Sequence, residues 1–292
     1  MNYKAEYEKW LDSPALSERE WKELNDIKND EKEIENRFFA PLDFGTAGLR
    51  GTMKVGLHQM NIHIIRHATQ AFANVISAEG DEAKAKGVVV CYDCRINSEV
   101  FAREAACVMA ANGIHVRLFD ALRPTPELSF AIRYYGAAAG LNITASHNPK
   151  EYNGYKVYWS DGAQLPPRQA SEIAKQMAEI DIFTGFKTVD FDEAVAAGNI
   201  EILGSETDEA FLARVLGQAI DKDVVKRVAD NFHVVYTPFH GTGYKLVPEA
   251  LTRLGVKHIN CVTEQMVIDG AFPTVDSPNP ENPEGFYLAI DL

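Results

Sequence analysis

Asn142-Ile-Thr-Ala-Ser-His-Asn-Pro-Lys-Glu-Tyr-Asn-Gly-Tyr-Lys156 gathers a serine, a histidine, three asparagines, a proline, a glycine and two lysines into fifteen residues. Gly140-Leu-Asn-Ile-Thr144 reads as a short strand leading into it, and Tyr155-Lys-Val-Tyr-Trp159 alternates as a second strand beyond it. Ser146-His147-Asn148-Pro149 therefore lies on a loop leaving a strand, where open α/β sheets receive their ligands. Its polar, donor-rich composition suits phosphate. Asn142-Ile-Thr144 is formally also a glycosylation acceptor. The surroundings read as a buried strand and Met1 to Trp10 carry no apolar signal region, so that reading is set aside.

Upstream of the loop, Gly87-Val-Val-Val-Cys-Tyr-Asp93 reads as a buried strand. A helix capped by Asn97 or Ser98 follows to Ala111, Gly113 ends it, and Ile114–Phe119 is the next strand, so the order is that of a parallel crossover unit. Asn61 to Ala78 has helical apolar spacing, and Thr125–Tyr135 reads as a capped helix with proline in its first turn. Downstream, Ser160-Asp-Gly-Ala163 is a tight turn and about 167–180 a helix. Residues 181–204 lack strong periodicity and mark the expected domain boundary. A helix over 206–220, a strand over 233–238, the glycine turn Phe239-His-Gly-Thr-Gly243, a helix to Leu254 and a strand over 258–262 begin a second α/β unit. No convincing sequence repeat relates the two halves. The fold class is α/β, with mixed, largely parallel sheets and helices on both faces. Residues 1–40 are a helical N-terminal extension, opened in part by the capping box Ser17-Glu-Arg-Glu20; 41–204 form a first domain, and 205–292 an incomplete second one.

Composition is that of an ordinary globular protein, with 46% hydrophobic and 24% charged residues in 292. No apolar run is long enough to cross a membrane, and a formal charge of −13 argues against nucleic acid as a partner. Four cysteines without framework spacing suggest a reducing, cytoplasmic setting. Cys91-Tyr-Asp-Cys94 is a formal C-x-x-C, but it neither opens a helix nor has a second pair for zinc. His63 and His67 stand four apart on a helix, a spacing that could hold a metal; with no third ligand nearby they read as helix-surface histidines.

Phe44-Gly-Thr-Ala-Gly-Leu-Arg-Gly51 adds three glycines that permit close backbone approach, and Arg50 supplies a planar fork suited to phosphate. Together with Thr144-Ala-Ser-His-Asn-Pro149 and Asn153-Gly-Tyr-Lys156, it resembles the α-D-phosphohexomutases, the family of phosphoglucomutases and phosphomannomutases. Tyr92-Asp-Cys-Arg95 resembles that family's Tyr-Asp-x-Arg turn, and the proline-rich Phe272–Pro283 its loop before the metal-binding strand. The resemblance implies that Ser146 is the phosphoserine, exchanging its phosphoryl group with a hexose phosphate through a sugar bisphosphate. It further implies charge stabilisation by Arg50 and Lys156, with Lys156 in proton transfer and His147 orienting phosphate or substrate hydroxyl. Thr46, Arg50, Arg95, Asn148 and Asn153 are the implied substrate- and phosphate-binding residues. The implied cofactors are Mg²⁺, taking Ser146 through its phosphate as one ligand, and glucose 1,6-bisphosphate as activator; the partner is a small phosphorylated sugar.

The acidic N-terminal extension and the wording of residues 44–51 look most like the phosphoglucomutase branch, which includes phosphopentomutases; phosphomannomutase is the neighbouring alternative. The family's Asp-x-Asp-x-Asp-Arg metal loop and its later sugar and phosphate loops are absent, so the expectation is an N-terminal fragment, nearly inactive alone, with possible self-association through its second domain. A non-catalytic half-protein is the competing class. A serine-nucleophile phosphatase would need carboxylate and histidine metal clusters that the sequence lacks.

Overall fold

A computed structural model describes residues 2–292. Three short helices open the chain: α1 (Tyr3–Leu11), α2 (Glu18–Asp26) and α3 (Glu31–Phe38). The predicted capping box at α2 is present, with Glu20 N–H donating to Ser17 Oγ and Ser17 N–H to Glu20 Oε2. Trp10, Leu24 and Phe38 are fully buried and belong to the main core, so this extension is part of the first unit's interior.

The first sheet has strands β1 (Leu49–Thr52), β2 (Val88–Tyr92), β3 (Val116–Phe119), β4 (Ala139–Ile143), β5 (Tyr152–Trp159) and β6 (Ile200–Leu203), in the order β1-β5-β4-β2-β3-β6. The β4-β2-β3-β6 pairings are parallel; β5 pairs antiparallel with both β4 and β1. The helices α4 (Ile62–Ala78), α5 (Asp81–Lys86), α6 (Ser98–Ala111), α7 (Thr125–Tyr134), α8 (Pro167–Glu179) and α9 (Phe191–Ala196) surround it. β2 and β4 are buried at every position, as strands covered on both faces must be.

The structure departs from the sequence expectations in several places. Residues 181–204 hold α9 and the edge strand β6; only the two ends of β6, Ile200 and Leu203, are buried, so it has no alternation to detect. Neither Asn97 nor Ser98 caps α6 with its side chain, because Asn97 is left-handed (φ 65°) and Ser98 turns to Asp93. Thr125 does not cap α7; its hydroxyl accepts from Asn142 Nδ2. His63 and His67 are buried rather than on the helix surface. His63 meets Glu20 at 3.1 Å edge-on to Trp10, while His67 donates to the carbonyls of Met177 and Ile180. Burial pushes Glu20 up, but hydrogen bonds from His63 and Ser17 outweigh it and bring the carboxyl down to about 2.

The second unit contains α10 (Ser205–Leu216), α11 (Lys222–Val228), β7 (His233–Tyr236), α12 (Gly243–Leu254), β8 (His258–Cys261), α13 (Thr263–Met266), a 3₁₀ turn (Pro283–Phe286) and α14 (Tyr287–Asp291). β7 and β8 form a parallel pair. α10 packs against both α7 and α12 and so bridges the two units. At that junction Asp208 accepts from Arg123 (2.6 and 3.1 Å) and from Lys245 (2.6 Å). Among the described residues no helix is long and apolar enough to cross a membrane.

Candidate active site

The parallel register sets Tyr92 beside Ile143, so Asp93 and Thr144 leave their strands side by side. Thr144 Oγ1 donates to Asp93 Oδ2 (2.5 Å) and accepts from the backbone N–H of Ser146 (3.0 Å). This clasp holds Ser146 in the left-handed region, φ 59°, a conformation that costs a non-glycine residue about 1–2 kcal/mol. The serine side chain is thereby turned outward; Ser146 and His147 are exposed, with Ser146 Oγ 3.3 Å from His147 Nδ1.

Beneath the loop lies Arg95. One guanidinium nitrogen donates to the carbonyls of Pro149 (2.9 Å) and Tyr152 (3.0 Å), the other to those of Ser146 (3.0 Å) and Asn148 (2.5 Å). Its Nε stands 3.4 Å from Asp93 Oδ2, and the side chain is wholly buried. Asp93 in turn accepts from Ser98 Oγ and from the Arg95 N–H. Burial pushes the Asp93 carboxyl up and the Arg95 guanidinium down, as expected for charges taken out of water.

Two sequence expectations are corrected here. Arg95 does not face phosphate, because its fork is occupied by backbone carbonyls inside the protein. Asn153 is fully buried too, donating to Ile96 O and Ser98 Oγ and accepting from Gly154 N–H. Both shape the loop from below. Asp93 and Thr144, which sequence reasoning did not assign, carry that support; an aspartate directly after an apolar strand was the available signal.

Arg50 reaches the serine loop through Asn148, and Lys156 stands within electrostatic reach of Arg50, Asp93 and Arg95. Arg50 is exposed on β1 and donates to Asn148 Oδ1 at 3.0 Å. β1 can approach because Gly48, at φ +76°, has no side chain; a Cβ there would fall 1.9 Å from the Tyr155 carbonyl oxygen. Lys156 is half-buried opposite Asn142, and no carboxylate pairs with it among the described residues. Burial first, then the positive charges of Arg50 and Arg95, lower its pKa against the pull of Asp93. Thr46 sits on the exposed turn between Gly45 and Gly48, and no hydrogen bond joins it to the serine loop.

A cavity of about 450 Å³ opens in front of Ser146, walled by Thr144, Ser146 and His147 on one side and by Thr237, Phe239 and Phe272 on the other. The far wall repeats the local device. Thr237 Oγ1 accepts from the N–H of Phe239 at 3.0 Å, and Phe239 is left-handed at φ 47°. Thr144-Ala-Ser146 and Thr237-Pro-Phe239 thus share a threonine-bonded turn into a left-handed residue, with phenylalanine in the serine's place.

The thiols of the C-x-x-C are unpaired, and burial raises both, Cys94 to about 12. For Mg²⁺ the described side chains do not fit. The ion needs several oxygen ligands in an octahedral array, and no three carboxylate, histidine or thiol groups stand together among the described residues. Asp93 is already bonded to Thr144, Ser98 and the Arg95 backbone.

The comparisons with known proteins agree with this architecture. The phosphoglucomutase/phosphomannomutase α/β/α domain I matches residues 41–182, and domain II of the same family matches 209–292. A phosphoglucomutase of Staphylococcus saprophyticus is 34% identical over 97% of this chain and 49% of its own length. One from Staphylococcus aureus (strain bovine RF122) is 36% identical over 89% of this chain and 46% of its own length. The chain therefore spans about half the length of the curated relatives it matches. A candidate phosphomannomutase of Thermus thermophilus superimposes with a TM-score of 0.69 at 26% identity, covering 86% of this chain and 52% of that one. An open-form parafusin (phosphoglucomutase) of Paramecium shares the fold, with a TM-score of 0.64 at 20% identity over 86% of this chain and 47% of that one. With both domain signatures in order and the serine loop seated where they meet, the chain belongs to the phosphoglucomutase/phosphomannomutase family, the α-D-phosphohexomutases.

Proposed function

We propose that these residues are the phosphoryl-accepting face of a phosphoglucomutase-type enzyme, which moves phosphate between the 1 and 6 positions of a hexose through a phosphoserine. The observation that carries the reading is Ser146: an exposed hydroxyl on a loop fixed from below through four carbonyls, with Arg50 bonded to Asn148 of the same loop and Lys156 within electrostatic reach of Arg50. Phosphoryl transfer depends on positioning and charge neutralisation more than on covalent assistance, and this arrangement offers both.

In the transfer, Ser146 Oγ forms the new P–O bond while the bond from phosphorus to a sugar oxygen breaks. The proton leaving the serine is balanced by one delivered to the sugar oxygen, so a bisphosphate becomes a monophosphate and Ser146 becomes its phosphate ester. Lys156, whose ammonium is destabilised by burial and by two neighbouring cations, gives up a proton more readily than an exposed lysine and is assigned to this exchange. His147 Nδ1 orients the serine hydroxyl, and Arg50 neutralises phosphoryl charge. Mg²⁺ is carried over as the family's cofactor; since the side chains described here do not make its site, no step runs through it. Full turnover by these 292 residues alone is accordingly expected to be slow.

The test is intact mass with peptide mapping before and after incubation with glucose 1,6-bisphosphate and Mg²⁺. One phosphate on Ser146, missing in Ser146→Ala, is the expected result. Phosphate on a different residue, or none, overturns the claim that this face accepts the phosphoryl group.

A further inference from the structure

Arg95 sets the height of the serine loop, so whatever holds Arg95 also acts on Ser146. Asp93 holds one side. The other side is covered from the second unit, by the Phe272 ring, whose centroid lies 5.3 Å from the Arg95 guanidinium carbon. Phe272 is buried and left-handed at φ 50°, an unfavourable state for a bulky side chain. A tight turn holds it there: Phe272 N–H donates to Asp269 O, Val275 N–H to Phe272 O, and Ala271 N–H to Asp269 Oδ1.

The same loop touches the first unit at two more places. Gly270 lies so close to the backbone of residues 94–96 that a Cβ would come within 2.6 Å of Cys94 O and Ile96 N. Ser277 Oγ donates to the carbonyl of His147 at 3.1 Å. An aromatic face over a guanidinium attracts it and keeps water away, and hydrogen bonds shielded from water are stronger.

We propose that Phe272 is a positioning residue for Ser146, acting through Arg95, so that the second unit's 269–277 loop braces the phosphoryl-accepting loop of the first. The inference rests on the reading of Ser146 as phosphoryl acceptor. Its consequence is that loosening the brace slows transfer to Ser146 while leaving the phosphate-attracting charges of Arg50 and Lys156 in place.

Hydrogen exchange of the 144–152 peptide in the 292-residue chain is the direct test, run beside phosphate uptake from glucose 1,6-bisphosphate. In Phe272→Ala, exchange in that peptide should quicken about tenfold and uptake slow by a similar factor, with the half-saturating donor concentration changed less than about twofold. Phe272→Tyr should restore both. Ser277→Ala, which leaves the ring in place, should give a smaller acceleration confined to the same peptide and serves if Phe272→Ala does not fold. Unchanged exchange at 144–152 in both alanine variants overturns the proposal. So does acceleration that is equally large in β7, β8 and α12, since that is general loosening. If the wild-type chain takes up no phosphate, the functional reading fails, and the exchange result still decides whether the brace exists.

Discussion

Arg95 shows how much a single side chain's role depends on where its fork points. The resemblance of Tyr92-Asp-Cys-Arg95 to the family's Tyr-Asp-x-Arg turn places it next to phosphate. Burial decides otherwise: four carbonyls and a carboxylate surround it, and none of its five donors reaches solvent-facing space. Arg95→Lys should therefore fail to rescue Arg95→Ala, because an ammonium cannot span four carbonyls in one plane. Breaking this buried pair should cost about 3 kcal/mol or more, measured by denaturant unfolding of the chain. A near-wild-type Arg95→Lys would show that charge alone, not the fork, holds the loop. Ser146, Arg50, Asn148 and Lys156 are named by the resemblance of their motifs, and of these the structure joins Arg50 to Asn148 of the serine loop. Asn153 and Arg95 were not, because polar residues look alike in sequence whether they face water or a backbone.

At the level of elements, periodicity found the strands and helices that bury one consistent face and missed those that do not. β2 announces itself as an apolar run; β6 hides because its two middle residues are exposed at the sheet edge. Of the three N-terminal helices only α2 is legible in its cap, and none in its destination, since a charge-rich amphipathic segment gives no sign of how deep its aromatic residues go. Ser17 offers a measurable case. Its hydroxyl and the Glu20 carboxylate satisfy each other's backbone, and Glu20 also holds the buried His63. Ser17→Ala should lower stability by about 1 kcal/mol, the ordinary worth of an N-cap. A much larger loss would mean that the cap also orients Glu20 toward His63, and Glu20→Gln would then reproduce it.

Across the whole molecule, the two units meet on a charged junction. Glu127 is fully buried 3.8 Å from Arg123, neither of its oxygens has a hydrogen-bond partner, and Asp208 takes the bonds of both Arg123 and Lys245. Burial first, then the negative charge of Asp208, push the Glu127 carboxyl up to about 8, against Arg123 and Lys245; Asp208 itself is lowered by its hydrogen bonds from Arg123 and Lys245, which outweigh burial. The folded chain thus keeps a proton that the unfolded chain sheds near 4.5, so this group's contribution is present below that value and is lost as pH rises through about 8. Glu127→Gln holds no such proton. Between about pH 4.5 and 8 its thermal midpoint should fall less than the wild type's, and parallel curves would remove Glu127 as the titrating group. A buried acid of this kind cannot be read from sequence, because its environment is assembled from α7, α10 and α12 only when the units close.

The reversed direction of β5 has a consequence in time. β4 and β5 are neighbours along the chain, so their pairing closes a short loop, whereas β1 reaches β5 only across about a hundred residues. Loop closure over a longer stretch is entropically dearer and slower. On that reckoning the serine turn is already shaped when the strand carrying Arg50 arrives, and Gly48, which lets β1 lie against Tyr155, governs a late docking step rather than the birth of the loop.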